Sequence, residues 1–229
     1  LPRRPGQAAD VPVRLVRLSG LDDVVTLGAL GDTLADPSPV FRVRVEDASG
    51  DPLPGPFLFR ALALDAFDGR TWRRVGPAPG PAPPVPVRGP QVQRVLLEPL
   101  VPTVLPVVHR ALGVATDAGP LRWDGSGAWT WAETPRRLTY TAWSGPPEEG
   151  PAGDPATDVH LALPAGLDPA VRVLARTVVG EGGERRGRAE GAAAWLRATC
   201  TWTPVPEAPL PEHAVETFLL HTHRGHCEL

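Results

Sequence analysis

Two proline- and glycine-rich stretches, Gly76 to Pro90 and Ser144 to Thr157, set the tightest limit on how this chain can fold. Proline has no amide to donate and glycine costs backbone entropy, so neither stretch can hold a helix or a central strand. The first reads as a long surface loop and the second as a linker. That linker divides the 229 residues into a part at 1–150 and a part at 155–229. The length suits one large domain or two small ones, and the linker favours two.

Before the linker the periodicity is mostly two. Val40-Phe41-Arg42-Val43-Arg44-Val45 alternates apolar with charged residues, and Gln91 to Leu97 does so less strictly, so each can bury one face of a strand. Phe57 to Phe67 reads as a strand running into an Asp68-Gly69 turn and then Thr71-Trp72. A second such turn, at Asp124 to Gly127, separates Leu121-Arg122-Trp123 from Trp129-Thr130-Trp131, and Leu138 to Trp143 makes a further strand. Short strands at this spacing predict an antiparallel sandwich or barrel.

After the linker the period becomes that of a helix. Asp168 is an N-cap, Pro169 opens the helix, Val171, Leu174, Ala175 and Val178 form a stripe, and Gly180 stops it. A second helix is expected from about Glu184 to Thr199, with Ala189, Ala192, Ala193 and Leu196 on one face and Gly191 weakening it. A third, short one is expected from about Glu212 to Leu220. The fold class is therefore α+β, an antiparallel β-rich module followed by a helical part.

The charges, 23 basic and 26 acidic for a net of -3, are interspersed along the chain and set up no field for nucleic acid or anionic lipid, so a polyanion partner is not expected from sequence. All basic residues other than histidine are arginine, and Lys, Ile, Asn and Met are absent, a coding bias that carries no function. Without a methionine, Leu1 is not expected to be the natural start, nor is Leu229 required to be the natural end. Arg3 and Arg4 are followed by Pro5-Gly6-Gln7, not by the apolar run of a secretory signal. The longest apolar stretch, Leu100 to Ala115, is cut by Pro102, Pro106, His109 and Arg110 and falls short of the ~20 residues a membrane helix needs.

Two cysteines, Cys200 and Cys227, are too few for a disulfide framework. A cysteine attacks only as its thiolate, which a helix N-terminus or a nearby imidazolium stabilises. Cys227 follows Arg224-Gly225-His226, a charged approach in which glycine permits a sharp turn. If a helix starts there, its free amides would favour the thiolate and could hold an oxyanion.

The run Val215 to Glu228, VETFLLHTHRGHCE, resembles the segment leading into the active-site cysteine of bacterial transglutaminase-like proteins. The order before it is similar too: LALPAGLDPAVRVLA, a helix ending in AAAWLRATCTWT, then a proline-rich connection. LALDAFDGRTW and RVLLEPLVPTVLP resemble the β-rich region that precedes this domain in the family's membrane-anchored members.

This resemblance implies that 1–150 is a β-rich module and 155–229 the first part of a papain-like domain, with Cys227 as the catalytic nucleophile. It implies acyl transfer to an amine, or hydrolysis, at amide bonds of a protein or peptide substrate through a thioester. No cofactor, metal or nucleic acid is implied. Membrane contact is implied only through segments outside these residues, on the extracytoplasmic face of a bacterial membrane. The family's histidine and aspartate follow the cysteine, whereas this sequence has only Glu228 and Leu229 after it, so the chain alone is expected to be inactive. His213, His221, His223 and His226 precede the cysteine and do not match the family's histidine.

Blander readings stand beside these. His221, His223, His226 and Cys227 have zinc-ligand types, but adjacent His226 and Cys227 would point apart in a regular element, and zinc sites commonly draw on a second cluster. Cys200 reads as a core residue. Trp123, Trp129, Trp131 and Trp143 read as core and cross-strand packing before they read as a sugar platform. Asp68, ahead of Gly69, reads as a turn former and not as half of a carboxylate pair with Asp65. The competing function class is an envelope-binding or structural module whose cysteine domain is degenerate.

Overall fold

The computed structural model describes residues 16–17, 24–28, 39–76, 78–83, 86–101, 103–109, 111–125, 127–131, 136–145, 158–180, 182–203 and 210–225. The chain packs as two compact units: Leu1–Leu18, Ser38–Ala61 and Pro79–Pro147 form one, and Ser19–Pro37, Leu62–Ala78 and Glu148–Leu229 the other. Two segments from the β-rich part thus group with the helices.

In chain order the strands before the linker are β1 (Val16–Arg17), β2 (Val24–Thr26), β3 (Phe41–Asp47), β4 (Phe59–Arg60), β5 (Ala66–Phe67), β6 (Thr71–Arg73) and β7 (Gly80–Pro81). They continue as β8 (Gln91–Leu97), β9 (Leu100–Val101), β10 (Val107–Val108), β11 (Ala111–Ala115), β12 (Leu121–Trp123), β13 (Trp129–Trp131) and β14 (Leu138–Ser144). The helical part holds α1 (Asp158–Leu161), α2 (Pro169–Val179), α3 (Arg185–Thr199), β15 (Thr201–Trp202), α4 (Ala214–Thr217), a π-helical turn at Phe218–Thr222, and β16 (Arg224–Gly225). The expected class, antiparallel β-rich followed by helical, is what the structure shows.

The first unit is built on an antiparallel sheet ordered β11-β14-β8-β3. Alternation decides its two faces, since side chains of successive residues point to opposite sides. Val45, Val95, Leu97, Leu138, Tyr140 and Ala142 are buried on one face, while Arg42, Arg44, Arg94 and Thr139 are exposed on the other. The apolar stretch 100–115 becomes β9, β10 and β11, with Leu105 and Val107 buried in the core. Its backbone is held there by buried polar groups. Gln93 Oε1 accepts from Val108 N at 2.7 Å, Gln93 Nε2 donates to Ser144 Oγ at 2.8 Å, and Ser144 Oγ donates to Val108 O at 3.0 Å. Tyr140 OH donates to the Pro106 carbonyl, and burial pushes its phenol pKa up. Such pairing answers the rule that a buried polar group without a partner is costly.

Two local expectations are corrected. Phe57 to Phe67 is not one strand: Phe59–Arg60 pairs with Val107–Val108, and Ala66–Phe67 with Trp72–Arg73. The partner changes between them, so no single ladder can run through. The proline-rich loop also contains β7, whose Gly80 and Pro81 pair with Trp123 and Arg122. Proline is tolerated in such a position because this strand has only one neighbour in its sheet.

In the second unit β2, β6 and β5 form a three-stranded antiparallel sheet. The β5–β6 turn is fixed by Asp68, whose Oδ1 accepts from Arg70 N at 3.0 Å and Thr71 N at 2.7 Å, and by Gly69 at φ 105°. Those backbone donors hold the Asp68 carboxyl below its usual range. Helix α2 opens as its sequence requires, with Asp168 Oδ1 accepting from Ala170 N at 2.8 Å and Pro169 in the first turn. Val171, Leu174 and Val178 of its stripe are half-buried, and Ala175 is exposed. On α3, Ala192 and Ala193 are half-buried while Ala189 and Leu196 are exposed.

Candidate functional site

The approach to the candidate nucleophile is shaped by three consecutive elements. Helix α4 widens into the π-helical turn, which closes where His223 N donates to Phe218 O at 2.9 Å. The expected third helix is thus α-helical only at 214–217. A π turn inserts a residue into the helical ladder, and such turns often occur at functional sites. His223 then takes the left-handed conformation at φ 50°, uncommon for a residue with a side chain.

Contacts hold His223 there. Its Nε2 lies 2.9 Å from Leu219 O, and its ring meets Trp195 edge to face with centroids 5.9 Å apart. Its carbonyl accepts from Thr201 N at 2.8 Å, and the Gly225 carbonyl from Thr203 N at 2.7 Å. These bonds make the parallel ladder in which Thr201 pairs with Arg224 and Trp202 with Gly225. The backbone is therefore fixed as far as Gly225, which is buried. Trp202, on the partner strand, is 65% exposed. Sequence reading missed this scaffold, because neither a π turn nor a two-residue parallel pairing has a sequence signature.

Cys227, the one residue assigned to catalysis from sequence, lies outside the described residues, as does His226. Cys200 is a free, half-buried thiol at the end of α3, and burial pushes its pKa up. That is the environment of an unreactive cysteine, since a nucleophile needs its pKa lowered. His213 lies 3.7 Å from Glu216 at the start of α4, and His221 is exposed on the π turn. Among the described residues no group of three or more His, Cys, Asp or Glu could hold a metal ion.

The other residues weighed from sequence have structural places. Trp129 and Trp131 are 2% exposed and Trp123 stacks on Trp129 at 5.9 Å, so these three pack the core, whereas Trp143 is half-exposed on the opposite face of its strand from Tyr140 and Ala142. Asp65 accepts from Val75 N at 3.2 Å and Gly76 N at 3.1 Å and lies 3.6 Å from His160 Nε2. It is tied to that turn and does not form a carboxylate pair with Asp68, whose partners are the backbone amides named above and Arg73. Among the described residues no helix is long and apolar enough to cross a membrane.

Known proteins give this geometry a context. Two crystal structures of the periplasmic domain of TgpA from Pseudomonas aeruginosa are similar, one of them bound to ethylmercury. Each is 26% identical and covers 91% of this chain. The ethylmercury-bound form matches over 74% of its own length with a TM-score of 0.67, the other over 73% with 0.68. No curated protein matches the chain at a significant level. Residues 1–151 match the family described as the TgpA N-terminal domain, well over half of the sequence, and the chain belongs to that family.

Proposed function

We propose that this chain is part of a transglutaminase-like cysteine enzyme that acts on amide bonds of proteins or peptides, with Cys227 as its nucleophile. The observation that carries the reading is the backbone ladder from Thr201 to Thr203 against His223 to Gly225, which fixes the chain two residues before that cysteine. Membership of the TgpA N-terminal domain family supports it from outside the site. On this reading residues 1–150 are a β-rich module and 155–229 open a papain-like domain, held at the extracytoplasmic face of a bacterial membrane by segments outside these residues.

The chemistry follows from the thiolate. Sγ attacks the carbonyl carbon of the amide, and backbone amides at a helix N-terminus stabilise the oxyanion. Collapse breaks the C–N bond, and an imidazolium protonates the departing ammonia or amine. A second amine then attacks the thioester to form a new amide, or water attacks to give a carboxylate, and the thiol is regenerated. On this reading the general acid is none of His213, His221, His223 and His226, which precede Cys227. The chain on its own is inactive under this reading.

Thiol labelling tests the proposal without requiring turnover. In the intact protein at neutral pH, Cys227 is expected to react with iodoacetamide or an organomercurial well before Cys200, with a midpoint below the ordinary thiol pKa of about 8.5. Equal or reversed labelling, read site by site by mass spectrometry, would mean that the Cys227 thiolate is not activated and the reading fails.

A further inference from the structure

The outward face of the four-stranded sheet carries a repeated arrangement that the proposed catalysis does not use. Arg42, Arg44 and Glu46 of β3 share that face with Arg94 of β8 and with Thr139, Thr141 and Trp143 of β14. Arg44 and Arg94 sit directly opposite one another, a like-charge pair that destabilises a ladder unless something lies between them. Glu46 does: its carboxylate is 2.6 Å from Arg44 Nε and 3.1 Å from Arg94 Nε. Glu98 repeats the device, 3.1 Å from Arg42 Nη1 and 2.7 Å from Arg137 Nη2.

Each glutamate is shared by two guanidiniums, so each trio keeps one excess positive charge. The glutamate side chains are 8% and 13% exposed, whereas the four arginine side chains are 61 to 65% exposed. The carboxylates are therefore far less exposed than the cations they hold, and each guanidinium has N–H donors beyond those used in the clamps. A guanidinium has five donors in a planar fork that matches phosphate oxygens, and holding it in place lowers the entropy lost on binding. Arg88 lies 5.9 Å over the half-exposed Trp143 ring, adding a cation and an amphipathic aromatic to the same face. An open groove of about 530 Å³ beside the clamps is lined by Thr116, Arg136, Arg137, Thr139, Thr141 and Trp143.

We propose that this sheet face docks on a layer of anionic phospholipid headgroups. Three features favour a bilayer surface over an acidic protein segment. The donors are arrayed across the breadth of a sheet and not along a single cleft. They are pre-ordered by carboxylates far less exposed than the guanidiniums they hold, which suits a planar array of phosphates. Trp143 supplies the ring-plus-polar-edge character that sits at a membrane interface. This contact is peripheral, adds to any anchor outside the chain, and does not depend on the cysteine chemistry.

The test is sedimentation of the full chain with vesicles of equal parts phosphatidylglycerol and phosphatidylcholine, and with phosphatidylcholine alone. Binding is expected to the first only, and to fall as salt rises from about 0.05 to about 0.5 M. Arg42→Gln with Arg94→Gln takes one cation from each clamp and leaves each glutamate a partner, so folding is preserved. Arg44→Gln with Arg137→Gln is the complementary pair. Either pair is expected to weaken binding about fivefold per arginine, on the order of twenty-five-fold in all. Arg185→Gln with Arg188→Gln, on α3, changes net charge equally and is expected to leave binding unchanged. The proposal is overturned by equal binding to neutral vesicles, by retention in both clamp variants, by an equal loss in the α3 control, or by tighter binding to soluble polyglutamate than to the anionic vesicles.

Discussion

Replacing Gln93 with leucine would remove the side chain that joins the core sheet to the strand crossing beneath it. Gln93 is fully buried, accepting from Val108 N at 2.7 Å and donating to Ser144 Oγ at 2.8 Å. Leucine has similar volume, so no large cavity opens, and the cost lies in the polar groups left behind. Val108 N–H loses its acceptor outright, while Ser144 Oγ loses a donor but still donates to Val108 O at 3.0 Å. At about 1–3 kcal/mol for a buried polar group left unpaired, here the Val108 N–H, less the gain from burying a more apolar side chain, the expected loss is about 1–3 kcal/mol. That is a large share of a domain stability of roughly 5–15 kcal/mol. Urea denaturation of the full chain, followed by near-ultraviolet circular dichroism of the buried Trp129 and Trp131 and extrapolated to water, measures it. Ser144→Ala and the double variant complete a cycle, in which a coupling of about 0.5–3 kcal/mol is expected for groups in direct contact. A Gln93→Leu chain within about 0.5 kcal/mol of the parent, or a cycle with no coupling, would refute the view that this triad holds the crossing strand.

Acid sensitivity should trace to named carboxylates. The hydrogen bond from Arg137, with help from Arg42, holds Glu98 below the usual carboxylate range, as backbone amides do for Asp68. A lowered folded-state pKa stabilises fully above the ordinary value of about 4 and is lost as pH falls through it, so Glu98→Gln should flatten the melting temperature against pH below about pH 4. Parallel curves for parent and variant would count against the clamp. His223 supplies another case: glycine tolerates φ 50° and alanine does not, so His223→Ala should be about 1 kcal/mol less stable than His223→Gly in thermal denaturation. Equal stabilities would mean that the left-handed turn is not retained.

Much of the architecture could be read from residues because its causes are local. β3, β8 and β14 follow from strict or near-strict alternation, and the β12–β13 pair from Trp123 and Trp129 flanking a glycine-containing turn. Helix α2 follows from Asp168, Pro169 and Gly180, each of which acts on its own turn of backbone. The strand expected at 57–67 failed for the opposite reason. Its residues are compatible with a strand throughout, yet which partner each segment meets depends on chain that is distant in sequence. The same holds at the candidate site, where the motif from Val215 to Glu228 marked Cys227 but carried no sign of the π turn or of Thr201 and Trp202 alongside it.

The order of residues alone determined that a β-rich part precedes a helical one, and it marked a single cysteine within a recognisable motif. Periodicity, turn chemistry and helix caps act over a few residues, so they survive without tertiary context. Charge was different. Along the chain the arginines and glutamates are mixed and no field can be inferred, but pleating and register bring Arg42, Arg44, Arg94 and Arg137 onto one face with Glu46 and Glu98 tucked among them. Only the fold could decide that, because the distances that make a charged surface are set across strands.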